Sequence, residues 1–222
     1  MWSKVLRLIA QFLLELADTL DKPQPKPLLG FRAWVDEGHG GSYSGAVDAV
    51  DPNHNDALYS KESDMNLAFC NLLVEKLKAL GAEVFRTRTE DVAVELVDRT
   101  NRINVRHKEF PINLCLSIHY NAHTDVAVSG IETFYHPNKL QDKVWADAIQ
   151  TRLISATGAK NRGAKATDFH MVRVPLCPAL LVELGFITNV EEERKLHNEQ
   201  YRVSQLDAIA QGIIDVWTLN NK

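Results

Sequence analysis

A short apolar run that stops at Gly38-His39-Gly40-Gly41 sets the terms for this chain. Residues 31–36 are apolar enough for a brief buried strand, and the glycines break it sharply, leaving one imidazole at the strand's C-terminal end. In an α/β sheet, ligands bind at that end. Glycines on both sides of His39 let the backbone turn tightly and leave space beside the ring for a metal and a bulky substrate. A glycine-rich turn with a surface histidine is common, however, so a metal reading needs partners elsewhere.

Three further segments supply them. Residues 114–119 form a second nearly all-apolar run that also ends in a histidine, His119. Residues 178–186 place a single carboxylate, Glu183, near the end of a run of apolar residues, where an unpartnered buried charge is costly. A helix predicted over 61–80, with Gly81 as its stop, carries Glu62 in its first turn. The helix dipole favours a carboxylate there whatever its role. Two neutral imidazoles and a carboxylate are a standard ligand set for a catalytic zinc that keeps its fourth position open. Because these residues are far apart in sequence, the fold must assemble the site; this is no local His-Glu-x-x-His helix. A carboxylate left off the metal, Glu183, then suits the general base of a metal-assisted hydrolysis.

The rest of the chain frames these segments. Its 222 residues, 45% apolar and 24% charged, suit one packed domain with a short appendage. A net charge of −4 without a basic stripe argues against a nucleic acid partner. Cys70, Cys115 and Cys177 are an odd, widely spaced set, which excludes a framework pairing all three and any Cys-x-x-Cys module; their settings suit core packing, and one isolated disulfide stays open. Residues 1–20 read as an amphipathic helix: Leu6, Ile9, Leu13, Leu16 and Leu20 make a seam that suits self-packing, a partner helix or a membrane surface. Gln11 and Glu15 interrupt the stretch, and no small-residue cleavage site follows, so it does not read as a cleaved export signal or a membrane span. Prolines at 23, 25 and 27 make residues 21–27 a semi-rigid spacer, and the main domain spans 28–222.

Further elements are a strand at 83–87, a helix at 94–107, a strand at 130–135 that could run antiparallel at one edge, and a helix at 140–157. A loop at 161–168, a short strand at 169–172, and helices at 191–197 and 200–219 complete the chain. Arg99 and Arg102 are expected at the surface or in ion pairs of little energetic weight. His54, His107, His136 and His197 are expected in water, whereas His123 and His170 fall nearer the mouth of the site.

Taken together, the motifs resemble the zinc-dependent N-acetylmuramoyl-L-alanine amidases of bacterial autolysins, division and spore amidases and phage endolysins. Val35-Asp36-x-Gly38-His39-Gly40-Gly41 is similar to their first histidine motif, and Glu62-Ser63-Asp64-Met65-Asn66-Leu67 to the start of their glutamate helix. Ser117-Ile118-His119-x-Asn121-Ala122 resembles their second histidine strand, and residues 181–189 the strand bearing their catalytic glutamate. Thr87-Arg88-Thr89, Arg99 and Asn161-Arg162-Gly163 agree as supporting marks. The resemblance covers nearly all of residues 31–217, and four matches in the family's order are specific where any one would be weak.

It implies an α/β fold in a single domain, a twisted and mostly parallel sheet flanked by helices on both faces. It also implies Zn2+ held by His39, Glu62 and His119, with Glu183 as general base. The substrate it implies is peptidoglycan, cut at the amide between the lactyl group of N-acetylmuramic acid and L-alanine of the stem peptide. Asn121, His170 and Arg173 are lesser candidates for substrate contact, and Asp36 for a hydrogen bond that holds a ligand histidine. Glu37 stands where the family usually has proline or alanine, adding negative charge beside the metal. Only residues 136–140 separate the 130–135 strand from the next helix, which leaves no room for the blocking helix of division amidases. The competing readings are a zinc carboxypeptidase or peptidase acting on stem peptides and a non-catalytic wall-binding module. The expected place of action is the cell wall, in the periplasm or at the cell exterior. With no clear export signal, it would be reached by phage-type release or an unusual export route, the enzyme acting as a monomer.

Overall fold

The computed structural model describes residues 25–47 and 60–220, together with Val5 and Gln11. Apart from those two residues, the amphipathic helix expected over 1–20 lies outside the described residues, as do the first part of the spacer and the loop containing His54. No helix among the described residues is long and apolar enough to cross a membrane.

Six strands form one sheet: β1 (Arg32–Glu37), β2 (Glu83–Arg86), β3 (Leu114–Asn121), β4 (Ile131–Tyr135), β5 (Asn161–Ala166) and β6 (Ala179–Phe186). Their order is β2-β1-β3-β6-β4-β5. Every pairing is parallel except that of β4 with β6. The helices are α1 (Glu62–Ala79), α2 (Leu96–Glu109), α3 (Leu140–Thr157), α4 (His170–Arg173), α5 (Val190–His197) and α6 (Glu199–Asn220). The expected mostly parallel, two-sided α/β sheet is therefore the observed fold.

Strand alternation divides the molecule into two unequal layers. Ala33 and Val35, then Leu114, Leu116, Ile118 and Tyr120, then Leu180, Val182 and Leu184 all face the main core formed with α1, α3 and α6. The opposite face carries Trp34, Cys115 and Ala179, and packs with Ile103 of α2 and Met171 of α4 into a smaller cluster. Strand neighbours in register share a face, so Asp36, Ser117, His119 and Glu183 belong to this thinly covered side. A strand that looks almost wholly apolar thus has one continuous core face and one face that can carry polar chemistry. All three cysteines are free and buried, as core packing required.

Three local readings are corrected. Residues 161–166 are the edge strand β5, not loop: Asn161-Arg162-Gly163-Ala164-Lys165-Ala166 pairs on one side only, so it needs no apolar alternation to be stable there. β4 is antiparallel to β6 but sits inside that edge, because β5 pairs beyond it. The stretch expected as a strand at 169–172 is the single turn α4, an ambiguity inherent in a four-residue apolar run. α3 begins at Leu140, a few residues after β4 ends at Tyr135, so no blocking helix is inserted at that point.

Candidate metal centre

β1 and β3 are adjacent and parallel, so their C-terminal ends bring His39 and His119 to the same rim of the sheet. Their rings lie edge to face with centroids 5.1 Å apart. Glu62 reaches between them from the first turn of α1: Oε2 is 3.2 Å from His39 Nε2, and Oε1 is 2.8 Å from His119 Nδ1. One ligand atom from each of the three side chains falls within 4.8 Å of the others. Among the described residues this is the one group of three or more such side chains that converges.

The backbone makes room for the cluster. A β-carbon at Gly38 would lie 2.6 Å from His119 Nε2, and one at Gly45 would lie 2.6 Å from His39 Cδ2 and collide with Glu62 Oε2. Gly45 also has φ of +70°, a region that favours glycine. Its role was hidden in what reads as a polar surface loop. Gly45→Ala should cost metal affinity by more than tenfold, measured by competition with a chromophoric zinc chelator; affinity within twofold of wild type would show that the loop adjusts at little cost.

The same loop positions Glu62. Backbone amides of Glu62 and Ser63, free of helix partners, donate to the carbonyls of Ala46 and Ser44, where no side chain caps α1. Ala46 N and Tyr120 N donate to the Glu62 carboxylate. Burial pushes the Glu62 carboxyl up, but hydrogen bonds with His119 and His39 outweigh it and hold the group below the usual carboxylate range. It is therefore an anion ready to meet a cation.

His39 adopts φ of 60°, a left-handed conformation that costs a non-glycine residue on the order of 1–3 kcal/mol unless its surroundings fix it. Buried donors do so through the loop carbonyls. Arg99 donates to the oxygens of Glu37 at 2.5 Å and His39 at 2.7 Å. Asn66 and Arg88 both donate to Gly38 O, at 3.0 and 3.2 Å. This explains in physical terms why Asn66, Arg88 and Arg99 accompany the glycine motif. Arg99, expected at the surface or in an ion pair of little weight, is in an ion pair with Asp36 but almost wholly buried, and Arg102 donates to Thr87 O at the margin. α2 must present a donor inward because carbonyls and Asp36 lie beneath it.

Asp36 is corrected as well. Among the described residues its carboxylate holds no imidazole; it accepts from Arg99 at 3.0 Å, Thr87 at 2.6 Å and Ser117 at 2.7 Å. It supports His39 at one remove, through Arg99. Glu37 does not add charge to the metal side either. It lies on the α1 side of β1, fully buried, bonded to Arg86 and to the Arg88 amide, with burial raising its carboxyl.

Glu183 is the register partner of His119 on the neighbouring strand. Its Oε2 is buried and, among the described residues, has no hydrogen-bond partner. Burial, and then the charges of Glu62 and Glu132, push its carboxyl well above the usual range. An unpartnered carboxyl beside a cluster of ligands has the makings of a proton acceptor. Just beyond it the register with β3 shifts, three steps of β6 from Glu183 to Phe186 opposing two of β3 from His119 to Asn121, as in a β-bulge, which often re-aims a side chain.

The other candidates lie around this rim with partners of their own. Asn121 gives its amide to Glu132 at 2.8 Å. His170 Nε2 lies 3.1 Å from Thr100 Oγ1, and Arg173 lies 3.5 Å from Asp168 while remaining half exposed. His123 and His107 accept backbone amides in local turns, His136 Nε2 lies 3.2 Å from Asp168, and His197 meets the buried Ser60 at 2.8 Å. Glu132 escaped sequence reading, although the signal that flags Glu183 applies to it too: one carboxylate in a short buried strand. A cavity of about 270 Å³ opens beside the ligands, lined by Tyr43, Val94, Leu96 and Met171 among others.

Two imidazoles and a carboxylate, cradled by glycines, fit a transition-metal cation. Comparison with known proteins agrees with this geometry. The chain is 33% identical over 190 residues to YqiI of Bacillus subtilis (strain 168), covering 85% of each. It is 31% identical to the N-acetylmuramoyl-L-alanine amidase LytC of the same organism, across 86% of this chain but 36% of LytC. Its fold superposes on the N-acetylmuramoyl-L-alanine amidase from Clostridium difficile 630 with a TM-score of 0.77 at 29% identity, covering 86% of this chain and 98% of that one. Residues 34–215, which run from the strand before His39 to the last helix, match the family description, and the chain belongs to the N-acetylmuramoyl-L-alanine amidases.

Proposed function

We propose that this chain hydrolyses peptidoglycan at the amide between the N-acetylmuramic acid lactyl group and L-alanine, with zinc held by His39, Glu62 and His119 and with Glu183 as general base. The observation that carries this reading is the convergence of those three ligand atoms beside Glu183, whose buried Oε2 has no hydrogen-bond partner among the described residues. When bound, zinc lowers the pKa of a coordinated water towards about 7 and polarises a carbonyl oxygen. Glu62 stays ionised through its contacts with both imidazoles and the amides of Ala46 and Tyr120. Glu183 takes the proton of the attacking water and returns it to the alanyl nitrogen as that leaves. Arg99, Arg88 and Asn66 keep the His39 loop from relaxing. Residues 28–222 form the catalytic unit, and the substrate places its work in the cell wall. Residues 1–20 would serve as an anchor, a partner helix or an added packing layer.

The test is digestion of purified peptidoglycan with fragment identification by mass spectrometry, alongside the zinc content of wild type and His119→Ala. Wild type should release peptides with free L-alanine amino termini and retain about one zinc, and the variant should lose 10- to 100-fold or more in metal affinity together with activity. Release of single stem-peptide residues with the lactyl amide intact would replace this reading with that of a peptidase.

A further inference from the structure

The face that carries Glu183 continues across β4 to β5 and ends in a charged cluster that the hydrolytic step leaves unused. Glu132 is the register partner of Glu183 and is nearly buried. Its Oε1 accepts the Asn121 amide at 2.8 Å. Its Oε2 is shared by two cations, Arg162 Nε at 3.1 Å and Lys165 Nζ. Neither cation is ion-paired with Glu183 among the described residues. One carboxylate between two cations leaves a positive charge unmatched.

The two cations differ. Arg162 is fixed, its guanidinium carbon 4.9 Å from the Phe186 ring centroid and its side chain 25% exposed. Lys165 is 40% exposed at the rim, a compact charge on a flexible stem that can turn from Glu132 to a second anion. The spacing fits a bound peptide. Glu132 lies two strands from His119, roughly 10 Å at about 4.8 Å per strand. An extended peptide advances roughly 3.3–3.6 Å per residue, so a group on the second residue beyond the cleaved amide stands about 7 Å from it, within reach of the lysine. The second residue of peptidoglycan stems is a D-glutamyl unit linked onward through its side chain, with an α-carboxyl that is either free or amidated.

We infer that Lys165, seated on the Glu132–Arg162 platform, binds the free α-carboxylate of that second residue and makes this chain prefer unamidated stems. The inference rests on the amidase reading and deepens it. Two readouts separate their fates. The first is kcat/KM for N-acetylmuramoyl-L-alanyl-D-glutamate against its D-isoglutamine counterpart. The second, independent of turnover, is calorimetric binding of the dipeptides L-alanyl-D-glutamate and L-alanyl-D-isoglutamine.

Wild type should favour the carboxylate form about five- to tenfold in both readouts, as one partly exposed charge pair allows. In Lys165→Met the ratio should fall to about 1, and in Lys165→Arg it should persist. Equal handling of the two forms by wild type, or an unchanged ratio in Lys165→Met, overturns the inference. If wild type cleaves neither compound yet still binds the glutamate dipeptide preferentially through Lys165, the amidase reading falls and the carboxylate site stands.

Discussion

Glu183→Gln should lower kcat on peptidoglycan by about 10²- to 10⁴-fold while zinc content stays at the wild-type level. The substitution preserves shape and removes only the ability to accept a proton. Because Glu183 lies on β6, beside the strand that carries His119 but outside the ligand cluster, the three metal-directed atoms keep their positions. Retention of more than a tenth of wild-type kcat would remove Glu183 from the role of base. The environment of this carboxyl also fixes the pH dependence. Burial first, and then the charges of Glu62 and Glu132, raise its proton affinity. A base must be ionised to act, so kcat/KM should fall on the acid side as Glu183 takes up its proton, and a bound cation nearby shifts that limb to lower pH than in the metal-free protein.

Stability should move the other way. In metal-free protein the folded state keeps the Glu183 proton to a higher pH than the unfolded chain, whose glutamates titrate near about 4.3. Between these points the native state binds more protons, so this group's contribution to stability declines as pH rises. Glu183→Gln abolishes that decline. Metal-free Glu183→Gln should therefore melt above metal-free wild type at pH 7, with the gap closing as pH approaches 4. Such an exchange of stability for function is what a carboxylate with a buried oxygen lacking a partner among the described residues implies at a reactive centre. A variant that melts below wild type at pH 7 would mean that Glu183 is satisfied by contacts that stabilise it.

The convergence of His39, Glu62 and His119 was legible in the sequence because each lies at or near the end of an element with a clear apolar pattern, and the sheet rule gathers strand ends at one rim; Glu183, within β6, stands out as the single carboxylate of an apolar run. Sequence showed less of what holds them. Arg99 reads as one more charge on a polar helix; its burial follows from which face of α2 meets the β1 loop, a fact of packing and not of periodicity. Asp36 and Glu37 are adjacent carboxylates that strand alternation sends to opposite sides of the sheet, one to Arg99 and the other to Arg86. Their partners lie dozens of residues away, so no local pattern assigns them. β5 reads as loop because an edge strand paired on one side leaves little hydrophobic signature, so the sequence marks Arg162 without showing that it and Lys165 share Glu132.

Arg99→Met should destabilise the protein by about 3–5 kcal/mol in urea unfolding, the range for breaking a buried ion pair by removing one partner. Asp36 and Arg99 have side chains only 1% and 3% exposed and lie 3.0 Å apart. Thr87 and Ser117 would still donate to Asp36, but its charge would face no cation within the pair, and the oxygens of Val94, Glu37 and His39 would each lose a donor. Glu37 O keeps Arg88 at 3.3 Å, whereas His39 O loses the donor that holds a residue at φ of 60°. The His39 loop should therefore relax first, and zinc affinity should fall about 10- to 100-fold even under conditions where the variant remains folded. Against a typical domain stability of about 5–15 kcal/mol, the variant should stay folded at low temperature, so circular dichroism and zinc titration can be read on the same sample. Asp36→Asn separates the two contributions: it removes the buried anion but leaves the Arg99 contacts with the carbonyls, and should cost less zinc affinity than Arg99→Met. Equal losses in the two variants would place the support of His39 in the ion pair itself, and unchanged zinc affinity in Arg99→Met would show that the glycine loop holds its shape without the arginine.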